Sequence, residues 1–210
     1  MTITIHREEL QLLAEHAIYL PKHKTLWVAD ALLGKPAHTK TGNWMAPDMV
    51  DMDIIRLSNL LKEYEVEKLV FVGHLFYYAY ADKRTSPGQW LATQGLEVHW
   101  INGHEQGDEP MHYTKFNLTI HSGCFVDGPF VFMNEYNAAT AQQFADKFII
   151  SANTNPAFED ETGALLPCFY FTNGYAILPS FGTMKALKQL QRQTPTDRFY
   201  TINATQVAAI

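Results

Sequence analysis

The sequence predicts an α/β fold: a two-sheet mixed β sandwich flanked by helices. Three observations predict it. Short apolar runs at residues 25–29, 68–72 and 96–101 alternate with segments of helical character, and such alternation implies right-handed crossovers and a largely parallel sheet. After residue 105 the texture changes to many short β-like runs separated by turns, which supply a second sheet. Apolar residues make up 47% of the chain and charged residues 18%, a globular composition rather than a disordered one.

Residues 7–16 are predicted helical by composition, and Ile18 and Tyr19 lead to a turn at 21–24. The run at 25–29 is a buried strand ending at Asp30, followed by a loop rich in turn formers from Gly34 to Pro47. Asp48 caps a helix predicted to run to about Tyr64, with Met52, Ile55, Leu57, Leu60 and Leu61 near a 3.6-residue period. A second strand at 68–72 ends at Gly73-His74. A helix over 87–93 stops at Gly95. A third strand at 96–101 ends at Asn102-Gly103-His104-Glu105. Further strands are expected at 116–125, 130–133, 148–151, 165–171, 175–178 and 199–202, with a helix over 138–148. Lys185, Lys188 and Arg192 suggest a basic, solvent-facing helix near the C-terminus. No repeat, low-complexity tract or linker divides the chain, so residues 1–210 are read as a single domain.

Lys and Arg number 16 against 22 Asp and Glu, a net charge of −6. That balance argues against a nucleic-acid coat, which needs clustered cations. No apolar run approaches the ~20 residues of a spanning helix, and the N-terminus carries no basic-then-apolar secretory pattern. Cys124 and Cys168 are too few for a disulfide scaffold or a thiolate zinc cluster. A cytoplasmic location without membrane contact is the expectation.

Ligands in open α/β sheets sit beyond the carboxyl ends of the strands. Those ends carry Asp30, His74, His104-Glu105, Asn134-Glu135 and the Asn153-Thr154-Asn155 loop. The arrangement resembles the calcineurin-like metallophosphoesterases, and within them the bacterial ligase-associated DNA-damage-response endonuclease group of PdeM type. Val28-Ala-Asp-Ala-Leu-Leu-Gly-Lys35 is similar to the family's V-A-D-L-H-L-G-K, and Phe71-Val-Gly-His-Leu-Phe-Tyr77 to F-L-G-D-L-F-H. The segment 98–106 is similar to the strand ending in G-N-H-D, 128–135 to the strand ending in H-E, and 151–156 to G-H-x-H-P. Leu166-Pro-Cys-Phe169 and Leu178-Pro-Ser-Phe-Gly182 are similar to P-C-F and L-P-A-F-G, and all the segments occur in the family's order.

The resemblance implies a dinuclear metal site for phosphoester hydrolysis, in which two cations clamp the phosphate and activate a water. The side chains that would build it are changed. Asp30 stands at the first aspartate, but Leu32 replaces the following histidine, His74 the bridging aspartate and Tyr77 the next histidine. His104 replaces the asparagine ligand and Glu105 the histidine near the leaving group. Asn134, Asn153 and Asn155 each replace a histidine. Neutral amides are poor transition-metal ligands, and one imidazole does not bridge two cations through two oxygens.

The expectation is therefore a metallophosphoesterase-like protein with a degenerate site and no cofactor. Asp30, His74, His104, Glu105, Asn134, Asn153 and Asn155 would line a ligand cleft for a small molecule, a partner protein or a second copy of the chain. The alternative is a hydrolase holding one divalent metal (zinc, manganese or iron) on Asp30, His74 and His104, with Glu105 as general base.

Overall fold

The computed structural model describes residues 1–34, 52–76, 85–102, 116–183 and 186–210. Two mixed sheets face each other. The first runs in chain order through β1 (Thr2–Ile5), β2 (Glu8–Leu12), β3 (Ala17–Leu20), β4 (Thr25–Ala29), β5 (Lys68–Val72), β6 (Glu97–Asn102) and β7 (Leu118–Ser122). β1 to β4 pair antiparallel, whereas β4 to β7 are parallel. Helices α1 (Met52–Glu63) and α2 (Thr85–Thr93) belong to the parallel crossovers.

The second sheet contains β8 (Cys124–Asp127), β9 (Phe130–Met133), β10 (Phe148–Ser151), β11 (Pro156–Glu159), β12 (Leu165–Phe171), β13 (Tyr175–Ile177) and β14 (Lys188–Gln189). Their spatial order is β14-β11-β12-β13-β10-β9-β8. β15 (Arg198–Asn203) pairs with β12, and β16 (Gln206–Ala209) pairs with β15.

The helix expected over 7–16 is instead the second strand of a hairpin. His6 and Arg7 take φ of 50° and 69°, the paired positive values of the two-residue turn that matches strand twist. Leu10 and Leu12 then point inward while Glu9 and Gln11 do not, so period-two alternation overrides the helical propensity of Glu, Gln and Leu. The run at 116–125 is two strands, because Gly123 at φ 101° carries the chain from β7 in one sheet to β8 in the other.

The helix expected over 138–148 is a single α turn, α3 (Ala138–Ala141), followed by a 3-10 turn at Gln142–Phe144. Asn137 caps α3 by accepting a bond from the Thr140 N–H at 3.0 Å. Phe148 pairs with Phe130 and Ser151 with Met133 in a parallel ladder. β10 thus takes residues 148–151, and the helical turns before it stop at Phe144. Among the described residues no basic helix forms near the C-terminus: Lys188 lies exposed in β14 and Arg192 donates to Ile210 O at 2.7 Å. Asp48 and Lys185 lie outside the described residues.

Side chains from both sheets fill the space between them. Leu10, Ile18, Trp27, Val70, Val72 and Ile101 meet Phe130, Phe132, Phe148, Ile150, Phe169 and Phe171. Trp27 stands edge-on to Phe130 and Phe132, with centroids 4.7 and 5.0 Å away, a favoured aromatic geometry. Outside the first sheet, Leu57, Leu60 and Leu91 of the helices cover Leu26, Val28, Leu69, Phe71, Val98 and Trp100. Outside the second, Ala141 and Phe144 cover Val131, Met133 and Ile149. Cys168 is fully buried, and burial pushes its thiol up to about 12, so it packs as a small hydrophobe. Among the described residues, no helix is long and apolar enough to cross a membrane.

Candidate functional site

Because β4, β5 and β6 run parallel, their carboxyl ends share one end of the sandwich. A parallel bridge from Ala29 to Ser180 and the close approach of Gly73 to Ala152 bring the ends of β13 and β10 to the same place. Left-handed backbone gathers there: Asp30 at φ 43°, Leu32 at 50°, Gly73 at 87°, Asn153 at 62° and Asn155 at 52°. Such conformations are costly for residues with a Cβ and persist where surrounding contacts hold them.

Those contacts converge on Asp30. Its N–H donates to Val72 O at 2.9 Å. Its carbonyl accepts from the Gly182 N–H at 3.0 Å and the Ser180 hydroxyl at 3.2 Å. Its carboxylate is completely buried. Oδ1 accepts from the His74 N–H at 3.1 Å and lies 3.0 Å from His74 Nδ1, and Oδ2 accepts from the Asn153 N–H at 2.9 Å. A carboxylate only accepts hydrogen bonds, so Nδ1 of His74 carries its hydrogen toward Asp30. Gly73 makes this packing feasible: a Cβ there would lie 2.5 Å from Asp30 Oδ1.

Of the remaining described candidates, Asn155 is buried and Asn134 half-buried. Asn134 follows β9, and its carbonyl accepts from the Ala152 N–H at 3.1 Å. The side-chain Oδ1 of Asn134 is buried with no hydrogen-bond partner among the described residues. The amide of Asn155 joins two loops, accepting from the Ser180 N–H at 2.9 Å and donating to Ala186 O at 3.2 Å. Glu135 is exposed. Asp30, His74, Asn134, Asn153 and Asn155 thus share one end of the molecule, while His104, Glu105 and Tyr77 lie outside the described residues.

No protein-family model matches the sequence, and no curated protein matches it. Among solved structures, the crystal structure of Pseudomonas putida nuclease MPE superposes with a TM-score of 0.78 at 23% identity, over 100% of this chain and 99% of that one. The two chains share one fold. It is the helix-flanked, two-sheet sandwich of the calcineurin-like type, and at this identity the likeness extends to the fold alone; the chemistry rests on the side chains at the strand ends.

One support of the site was not visible in the strand-end pattern. Arg56 of α1 bonds buried Asp53 at 2.9 Å, Phe181 O at 2.9 Å and Glu15 O at 3.0 Å, with its guanidinium 4.4 Å above the Phe181 ring. It fastens the loop that carries Ser180 and Gly182, and through them the Asp30 carbonyl. The Asp53-x-x-Arg56 spacing, which places opposite charges together on a helix, was the available signal.

Proposed function

We propose that the chain is one metallophosphoesterase-like domain whose dinuclear site is degenerate, and that it works as a binding or scaffold protein rather than as a phosphoesterase. The observation that carries this reading is the surroundings of the Asp30 carboxylate. In a working site that group would face cations; here a backbone N–H and an imidazole N–H converge on one of its oxygens and a second backbone N–H reaches the other.

The donor set supports the same reading. Asn134 and Asn153 offer amides where the resembled family has imidazoles, and the amide of Asn155 is committed to backbone groups. These residues do not fit a pair of divalent cations, which needs a bridging carboxylate and several imidazoles. The cleft they line would take a small molecule, a partner protein or a second copy of the chain.

The experiment is hydrolysis of a phosphomonoester and a phosphodiester with manganese, zinc or magnesium, alongside the metal content of the purified protein. Turnover at background and less than stoichiometric metal are expected. Metal-dependent turnover lost in His74→Ala would reject the reading in favour of a hydrolase with a single metal on Asp30, His74 and His104.

A further inference from the structure

A second polar cluster runs along β6 and β7 at the edge of the sandwich. His99 of β6 and His121 of β7 sit on the same face, with His121 paired to Ile101 one pleat along. Their rings meet edge to edge, His99 Nδ1 lying 2.8 Å from His121 Nε2. The other nitrogen of His99, Nε2, is 2.6 Å from Glu97 Oε1. Phe125, the second residue of β8, stacks on both rings at 4.4 Å and 4.2 Å. Thus two strands of one sheet and one strand of the other are held together immediately beside Gly123, where the chain crosses between them.

The hydrogens follow from the acceptors. The Glu97 carboxylate only accepts, so His99 Nε2 carries a hydrogen, and in neutral His99 the lone pair on Nδ1 then accepts from His121 Nε2. One added proton leaves this chain intact, because a single imidazolium still donates to its neighbour. A second added proton places N–H against N–H and positive charge against positive charge across 2.8 Å. The other charged groups at the cluster are Lys68 of β5, 3.1 Å from Asp127 of β8 and 3.9 Å from Glu97. From β9 the contact is Phe132, stacked 5.9 Å from Phe125.

We propose that Glu97, His99, His121 and Phe125 form a proton-operated clasp between the two sheets, closed while the histidine pair has taken up at most one added proton and opened at the β7–β8 corner by the second. The consequence reaches the strand ends. β9, paired with β8, is followed directly by Asn134, so loosening this corner loosens the wall of the cleft that Asn134 forms. Burial and the neighbouring His99 both lower the pKa of His121, and the bond from His99 lowers that of Glu97. Because the folded chain takes the His121 proton less readily than the unfolded chain, stability falls as pH drops through the ordinary imidazole range.

The test is an NMR titration of the histidine ring protons with amide hydrogen exchange across residues 118–127. His121 is expected to reach full protonation below the ordinary imidazole range, together with loss of the Phe125 ring-current shift. Exchange at β7 and β8, corrected for intrinsic rate, should then accelerate at least about tenfold relative to β4 and β5, as one pH unit of linkage requires. His121→Gln keeps an N–H toward His99 but takes no proton, and it should abolish that acid step. Titration of both rings through the ordinary range with Phe125 undisturbed would overturn the proposal, as would an unchanged acid step in His121→Gln. The wild-type titration decides alone if that variant does not fold.

Discussion

His74 places two nitrogens, its backbone N and its ring Nδ1, at 3.1 and 3.0 Å from the same oxygen of Asp30. The pairing ties the first residue beyond β4 to the second residue beyond β5, and the Asn153 N–H extends it to the facing sheet. Asp30 therefore acts as a junction between the two sheets at the end where ligands of such folds bind.

A junction of this kind predicts a large stability loss on removing the carboxylate. In Asp30→Ala the N–H groups of His74 and Asn153 lose their buried acceptor, and each unsatisfied donor costs about 1–3 kcal/mol. The expected loss is about 2–4 kcal/mol by urea unfolding, and it should be the same with and without EDTA. A loss under about 0.5 kcal/mol would mean that the carboxylate does not hold the sheets together.

Gly73→Ala tests the same packing from the other side. The added Cβ meets Asp30 Oδ1 at 2.5 Å and Ala152 Cβ at 3.2 Å, on a backbone at φ +87°. The conformational penalty alone is about 1 kcal/mol, and neither neighbour yields easily, so a drop of about 2–3 kcal/mol is expected. Gly95→Ala, also at positive φ but with nothing within 4 Å, isolates the backbone contribution. Equal losses in the two variants would show that the contact with Asp30 costs nothing.

Much of this site was legible in the sequence because parallel strands present their carboxyl ends together. Asp30, His74, Asn134 and Asn153 each follow an apolar run, and a shared strand direction places them at one end. The β1–β2 hairpin was not legible: Glu8, Leu10, Gln11 and Leu12 have helical propensity, and only the burial of Leu10 and Leu12 against the second sheet selects the strand. The role of Asn155 was equally hidden, since an amide in a loop signals nothing until Ser180 and Ala186 are seen to close on it. His99 carries no signal of its own in the sequence, because its partner, His121, lies on the neighbouring strand.

Acid stability should depend on a different carboxylate. Asp197 is 2% exposed. Burial pushes its pKa up, but bonds from the Tyr170 and Thr194 hydroxyls and the Gln193 and Thr194 N–H groups outweigh this and hold it at about 2. A depressed pKa stabilises the fold above the unfolded value of 3.8 and loses that contribution as pH falls toward about 2. Tyr170→Phe removes the 2.6 Å bond. Its stability should fall less steeply between pH 4 and pH 2 than that of the wild type, in urea unfolding at each pH. Parallel curves would mean that Tyr170 does not set the Asp197 pKa.

Thermal melting with chelator and with metal tests the proposed loss of the metal site directly. A cation bound only to the folded state stabilises it by RT ln(1 + [L]/Kd), about 2.7 kcal/mol at a hundredfold excess over Kd. In a domain of this size each kcal/mol moves Tm by roughly 2–4 °C, so a working site would announce itself by a shift of several degrees. The Asp30 carboxylate accepts bonds from His74 and Asn153 of the chain itself, so on the proposed reading this end is held together without a metal. EDTA should therefore leave Tm unchanged, and manganese, zinc or iron should move it by less than about 1 °C. A rise of several degrees with one of these ions, absent in His74→Ala, would establish a surviving metal site and end the reading of the cleft as a metal-free binding surface.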